Sequence, residues 1–272
     1  MKLWKKVAVS LALVLPLVGL AACGDKAADS QTVKVGIMSN DKEIWQDIQK
    51  RLKKQDITLK LVEFTDYNTP NQALVDGDVD LNSFQHHDFL DNWNKKHNTK
   101  LAAIGNTYIG PIRAYSDNIK SLQDLKSGDE VSVPNDATNE GRALALLQQQ
   151  GLIKVKDVAT PTVRDITENK LNLKFTELDA AQTARSLKDV AAAIVNNDIA
   201  AAAKLDPKDA IAVEKISKSS HPWINIIVAK SAKDKTNKLY QKVVKAYQTD
   251  QTAALLKKYY KGSTVPAWDT QD

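Results

Sequence analysis

Apolar positions along this chain alternate between two rhythms, and that alternation predicts an α/β fold. Val33 opens VKVGIM, a short run rich in β-branched residues that reads as a strand. Ile44, Ile48 and Leu52 then recur every four residues, with Lys50, Arg51, Lys53 and Lys54 among them, which is the pattern of an amphipathic helix. ITLKLVEF reads as the next strand. Thr69-Pro70-Asn71-Gln72 reads as a helix start, with Thr69 as N-cap, Pro70 at the first helical position and Gln72 closing a capping box. VDLNSF, HHDFLDNWNKK and LAAIGNTYI continue as strand, helix and strand. Regular exchange of this kind argues for a mostly parallel sheet covered by helices.

From about Gly110 the pattern begins again. DEVSVP is a strand, Asp136 or Thr138 caps a helix that turns Ala143, Leu144 and Leu147 inward, and LNLKFTEL is a further strand. VAAAIVNN and DIAAAAKL follow as strand and helix. WINIIVAK is a strongly apolar strand, after which Leu239, Val243 and Ala246 stand at helical spacing and a last helix covers Ala253 to Tyr260. The expected organisation is one lobe from residues 33–110 and 224–272, a second from 111–223, and a ligand cleft between them. There is no internal repeat or low-complexity segment.

The first 22 residues stand apart from this pattern. Lys2, Lys5 and Lys6 precede an apolar stretch, Val7 to Leu20, that is short for a membrane span. Leu20-Ala21-Ala22-Cys23 resembles a lipobox, which implies cleavage before Cys23 and a diacylglycerol thioether on its sulfur. The expected product is a globule on the extracellular or periplasmic face of a membrane, held by lipid, with residues 23–32 as a flexible tether of at most ~30 Å. Without its three leader lysines the chain's formal charge falls from +5 to +2, too near neutrality to suggest nucleic acid as a partner. Cys23 is the sole cysteine, so once it is lipidated no thiol remains for disulfides or catalysis.

Several blocks are similar to those of one family. VEFTDYNTPNQAL, VDLNSFQHHDFL, IGNTYIGPIRAYS, SVPNDATNEGRALALLQQQGLI and HPWINIIVAK resemble the methionine-binding lipoproteins of ABC importers, the MetQ/NlpA type, from about Val33 to Trp268. The resemblance implies a two-lobed, periplasmic-binding-protein-like fold of type II, methionine as ligand, and an ABC permease with its ATPase as partners. It implies no catalysis, and no cofactor is expected. The loop Ser39-Asn40-Asp41-Lys42 departs from the Gly-Pro-His that many relatives carry there, so no ligand contact is carried over to it.

The residues in these blocks suit a zwitterion with a soft apolar tail. Arg142, in the first turn of a helix, is the expected bidentate grip on the ligand carboxylate. Asn225, polar on an apolar strand, is expected to bind the ammonium and the carboxylate, and Asn139 to support the same end. Phe64, Tyr67, Phe84 and His86 are expected to line the tail pocket, because a thioether packs well on ring edges and faces. Arg113 reads as a surface or hinge residue. Rival ligands are another apolar amino acid, a methionine dipeptide or, from His86-His87 with His97 and His221, a divalent metal; adjacent histidines point apart, and no HxxH or HxxxH spacing is present. Asp76, Asp78 and Asp80 lack a calcium-loop pattern, and no hydrolase, metalloprotease or P-loop motif occurs. An adhesin role is a further rival.

Overall fold

The computed structural model describes residues 31–269; the leader, the lipidation expected at Cys23 and the tether up to Ser30 lie outside the described residues. Strand β1 (Gln31–Met38) begins two residues before the expected start, because Gln31 and Thr32 pair in parallel register with Ile57 and Thr58. Backbone pairing is indifferent to side-chain polarity, so the hydrophobic run at Val33 marks where burial begins and not where the strand does.

Helix α1 (Lys42–Lys53) buries Ile44, Ile48 and Leu52 as the four-residue spacing predicts, and adds Trp45 to the stripe. Strand β2 (Ile57–Phe64), helix α2 (Pro70–Asp76), strand β3 (Leu81–His86), helix α3 (His87–His97) and strand β4 (Ala102–Asn106) follow in the expected order. At the start of α2 the capping box does not form. Thr69 makes no side-chain cap bond, its hydroxyl donates to Asp66, and Gln72 donates to Asp76 one turn ahead. Asp66 accepts from the Thr69 amide at 3.1 Å, the bond that the local rule assigned to Gln72.

Past the short β5 (Tyr108–Ile109), the chain crosses into a second sheet. Its strands are β6 (Arg113–Tyr115), β7 (Glu130–Pro134), β10 (Lys174–Leu178), β11 (Ala192–Val195) and β12 (Ala212–Val213). Helix α4 (Ala137–Gln149) follows β7, a hairpin of β8 (Ile153–Val155) and β9 (Ile166–Asn169) precedes β10, and the short helices α5 (Ala180–Thr183) and α6 (Asn197–Ala202) flank β11. Strand β13 (Asn225–Ala229) returns to the first sheet. Helices α7 (Lys238–Tyr247) and α8 (Asp250–Tyr259) close the chain with β14 (Val265–Pro266), which pairs with β5.

Both sheets are five-stranded and share one logic: the first runs β2-β1-β3-β13-β4 and the second β10-β7-β11-β6-β12. Strand β1 is parallel to β2 and β3, whereas β13 is antiparallel to β3 and β4; β7 is parallel to β10 and β11, whereas β6 is antiparallel to β11 and β12. In each sheet the reversed strand is the one entered just after the chain crosses over.

The core has a layer for each sheet and one between them. Trp45, Ile48 and Leu52 of α1 pack with Tyr247 and Leu256 against Val33, Val35 and Ile37, each such side chain contributing about 1.5–3 kcal/mol by leaving water. Val131, Val133, Leu144, Leu147 and Ile194 form the core of the second sheet. A third cluster joins Met38, Tyr67 and Phe84 to Tyr115, Val195 and Ile199, so residues of both sheets share it.

Candidate functional site

One cavity collects residues from the carboxyl ends of strands in both sheets, where α/β folds bind ligands. Tyr67, Phe84, Gln85, His86, Tyr108 and Asn225 line it from the first sheet, and Asn139, Arg142, Asn196, Asn197 and Asp198 from the second, with Phe89 and Gly110 completing the wall. Of the seven binding residues expected from sequence, six line this cavity.

The polar end is built at the start of α4. Asp136 is the N-cap, accepting from the Asn139 backbone at 3.0 Å, and its carboxylate also accepts twice from the Asn139 side chain. That leaves the Asn139 carbonyl oxygen as acceptor for Asn196 Nδ2 at 2.7 Å and as partner of His86 Nε2 at 3.3 Å. His86 in turn caps α3, its Nδ1 accepting from the Phe89 amide at 3.0 Å. With Nδ1 an acceptor, Nε2 carries the proton and donates to Asn139. Burial, aided by the nearby Arg142 charge, lowers the His86 pKa to about 3, so the ring is neutral at physiological pH.

Arg142 differs from expectation in two respects: helix α4 starts at Ala137, which puts Arg142 in its second turn and not its first, and its fork is already engaged. Its Nε donates to Glu214 Oε1 at 2.9 Å and its Nη2 to Glu214 Oε2 at 2.5 Å, while Nη2 also reaches the Gly110 carbonyl at 2.9 Å. The fork expected for a ligand is therefore taken by a carboxylate of the chain, and Nη1 is the guanidinium nitrogen left without a protein acceptor among the described residues. The bare backbone of Gly110 also admits Asn197 to this wall: a Cβ there would lie 2.9 Å from the Asn197 side chain.

Opposite the cation stands an acid that sequence reading passed over. Tyr67 donates to Asp198 Oδ1 at 2.6 Å, and Asp198 Oδ2 is buried without a partner. Burial raises the Asp198 pKa. The apolar end is a set of mutually inclined rings, with Phe84 5.7 Å from Phe89, Tyr67 6.1 Å from each, and His86 6.2 Å from Phe89. Cross-sheet hydrogen bonds draw the halves together: Tyr67 to Asp198, His86 with Asn139, and Asn68 Nδ2 to Asp179 at 2.7 Å.

Two expectations are corrected here. Phe64 does not reach the cavity; as the last residue of β2 it lies over Gly36, where a Cβ would come within 2.9 Å of its ring, and it lines a separate hollow with Met38, Ser39 and Asn40. It backs the ring cluster from outside. Arg113 is no surface residue: it is 6% exposed and donates to the carbonyls of Pro111 and Ser263 and to Asn197 Oδ1. Its place at the head of β6, the reversed strand between β11 and β12, buries it. The residues missed were Gln85, Phe89, Tyr108, Gly110, Asn196, Asn197, Asp198 and Glu214. Asn196-Asn197-Asp198 carried a usable signal, a polar triplet directly after the apolar run AAIV at a strand's carboxyl end.

The NlpA lipoprotein family model matches residues 33–268. The D-methionine-binding lipoprotein MetQ of Escherichia coli K12 is 43% identical, over 92% of this chain and 93% of that protein. Among solved structures, the substrate binding protein of a methionine transporter from Streptococcus pneumoniae superposes with a TM-score of 0.83 at 46% identity, covering 87% of this chain and 96% of that one. A nutrient binding protein from Burkholderia cenocepacia, solved bound to methionine, gives a TM-score of 0.82 at 47% identity over 86% of this chain and 99% of that one.

Proposed function

The chain belongs to the NlpA lipoprotein family, and from that premise we propose that it is an extracytoplasmic solute-binding lipoprotein that captures methionine and delivers it to an ABC permease. The observation that carries this reading is the cavity's polarity: an arginine with one free terminal nitrogen, an acid with one free oxygen, and inclined rings between and beside them. In this assignment the α-carboxylate meets Arg142 Nη1 with help from Asn225, the ammonium meets Asp198, and the thioether lies against Tyr67, Phe84, Phe89 and the neutral His86. Residues 33–110 with 224–272 form one lobe and 111–223 the other, and closing them around the ligand excludes water, so the opposed charges act at short range in a medium that screens them weakly. The protein binds and hands over; it performs no chemistry.

Calorimetry on refolded, ligand-free protein tests the reading. Methionine is expected to bind more tightly than leucine, isoleucine or valine, since branching, at Cβ in isoleucine and valine and at Cγ in leucine, stiffens or widens a tail that must bend to fit ring surfaces. Arg142→Ala and Asn225→Ala are each expected to weaken binding, the former by about 2–5 kcal/mol because a buried charge loses its partner. Circular dichroism should show both variants folded. A dominant response to a branched amino acid or to zinc, or full affinity in both variants, refutes the assignment.

A further inference from the structure

Glu214 lies outside the cavity wall, yet both of its carboxylate oxygens bond the guanidinium inside it. It follows β12, on the second segment by which the chain passes between the sheets. Its backbone N–H donates to Ile112 O at 3.0 Å, and its Oε2 accepts from the Ile112 N–H at 3.1 Å, so it is fixed to the first crossing segment as well. The ion pair with Arg142 is dry, with side chains 3% and 8% exposed. The ring of Trp223, also on the second crossing segment, stands 5.1 Å from the guanidinium carbon and meets the His86 ring edge-on at 5.1 Å.

We propose that Glu214 is the positioning residue of the binding site, aiming Arg142 so that a single terminal nitrogen, Nη1, faces the ligand carboxylate. This rests on the assignment of Arg142 to that carboxylate. Three of the guanidinium's edges and faces are taken by parts of the two crossing segments: Glu214 holds the Nε–Nη2 edge, Gly110 O holds Nη2, and Trp223 covers a face. An arginine side chain left to itself has several rotatable bonds and a rigid donor fork that turns toward whatever acceptor is nearest. In a site without water, donors deprived of Glu214 must find other acceptors, and the guanidinium turns to do so. Glu214 also carries a charge that repels the ligand carboxylate, so orientation and repulsion oppose one another. Orientation prevails because Glu214, outside the cavity wall, grips the Nε–Nη2 edge with both oxygens, and the Ile112 amide pins Oε2 there.

The test measures a ratio: affinity for L-methionine over affinity for methioninol, which keeps the ammonium and thioether but has no carboxylate. Wild-type protein is expected to prefer methionine strongly. In Glu214→Gln and in Glu214→Asp, which keeps the charge but withdraws the oxygens, the ratio is expected to fall at least tenfold while methioninol affinity changes little. In an Arg142→Lys background, Glu214→Gln is expected to leave the ratio unchanged. A merely structural role would weaken both ligands together and preserve the ratio; a purely repulsive role would raise it in Glu214→Gln and spare Glu214→Asp. Either result overturns the proposal. Wild-type protein that binds neither ligand would instead refute the methionine assignment on which the proposal stands.

Discussion

A single buried carboxyl governs part of this protein's response to pH. Asp41 is 4% exposed and has no cationic partner among the described residues; it accepts from the Tyr260 hydroxyl at 2.6 Å, and Tyr260 in turn accepts from Asn40 Nδ2 at 2.8 Å. Since Tyr260 spends its one proton on Asp41, the Tyr108 hydroxyl 2.9 Å away donates to it, and the chain of hydrogen bonds ends at the cavity wall. Burial raises the Asp41 pKa from 3.8 to about 7, the Tyr260 bond offsetting only part of the rise. The folded protein thus holds a proton that the unfolded chain releases, so this contribution to stability is full below pH 4 and is lost as the pH climbs through 7. His86 acts in the opposite sense, since its depressed folded pKa costs stability as the pH falls below 6.5. Comparing wild-type protein with Asp41→Asn isolates the first effect. In urea titrations the variant is expected to gain on the wild type as the pH rises from 4 to 8, by up to about 4 kcal/mol at 1.36 kcal/mol per pKa unit. An advantage that does not vary with pH contradicts the account.

Individual elements fit because small residues stand where two of them come close. Gly105 in β4 faces Val244 of α7, and a Cβ at Gly105 would lie 2.5 Å from Val244 Cγ1. The helix therefore seats directly on the edge strand of the first sheet, where Gln248 Nε2 donates to Asn106 O and Gln241 Nε2 to Ile104 O. Those two glutamines satisfy carbonyls that an edge strand would otherwise leave open. Gly105→Ala is expected to cost about 1–3 kcal/mol through overpacking. Adding Val244→Ala should recover much of that cost, even though Val244→Ala alone is destabilising. Chemical denaturation of the four proteins in this cycle measures the coupling, and additive losses would show that the two side chains do not compete for the same space.

At the scale of the whole molecule, two sheets of matching topology are linked by two crossing segments, and the cavity lies where those segments meet the carboxyl ends of the strands. In the proposed function, ligand contacts and the closing of the lobes would therefore draw on the same few residues. The lipid attachment proposed for Cys23 concerns a residue that precedes the first strand in sequence and takes no part in the cavity wall. Cys23→Ser is expected to release folded protein into the extracellular or periplasmic fluid with methionine affinity unchanged. Fractionation and calorimetry check the two halves, and a Cys23→Ser protein that stays an integral membrane component contradicts the lipid anchor.

Periodicity determined much by itself. Strand and helix types, the inward stripe Ile44-Ile48-Leu52, a helix cap at Asp136 or Thr138 and the apolar strand at Asn225 were all legible, because each depends on residues within a turn or two of one another; that the Asn225 strand runs against its neighbours was not, and the mostly parallel sheet expected gave way to two mixed ones. Six of the seven binding residues expected from sequence share one cavity, and all six lie in the blocks that resemble the family; His86 and Asn225 stand at strand ends, whereas Phe84 lies within β3 and Arg142 in the second turn of α4. What tertiary structure alone decided is which distant residues meet. Arg142 finds Glu214 72 positions away, Tyr67 finds Asp198 131 away, and Asn40 finds Tyr260 220 away. These pairings follow from strand order and from the path of the crossing segments, which local patterns do not encode. Phe64 was misplaced for the same cause. Alternation along β2 gives the side of the strand on which its ring stands, but only the neighbouring strand supplies Gly36, the gap into which that ring settles.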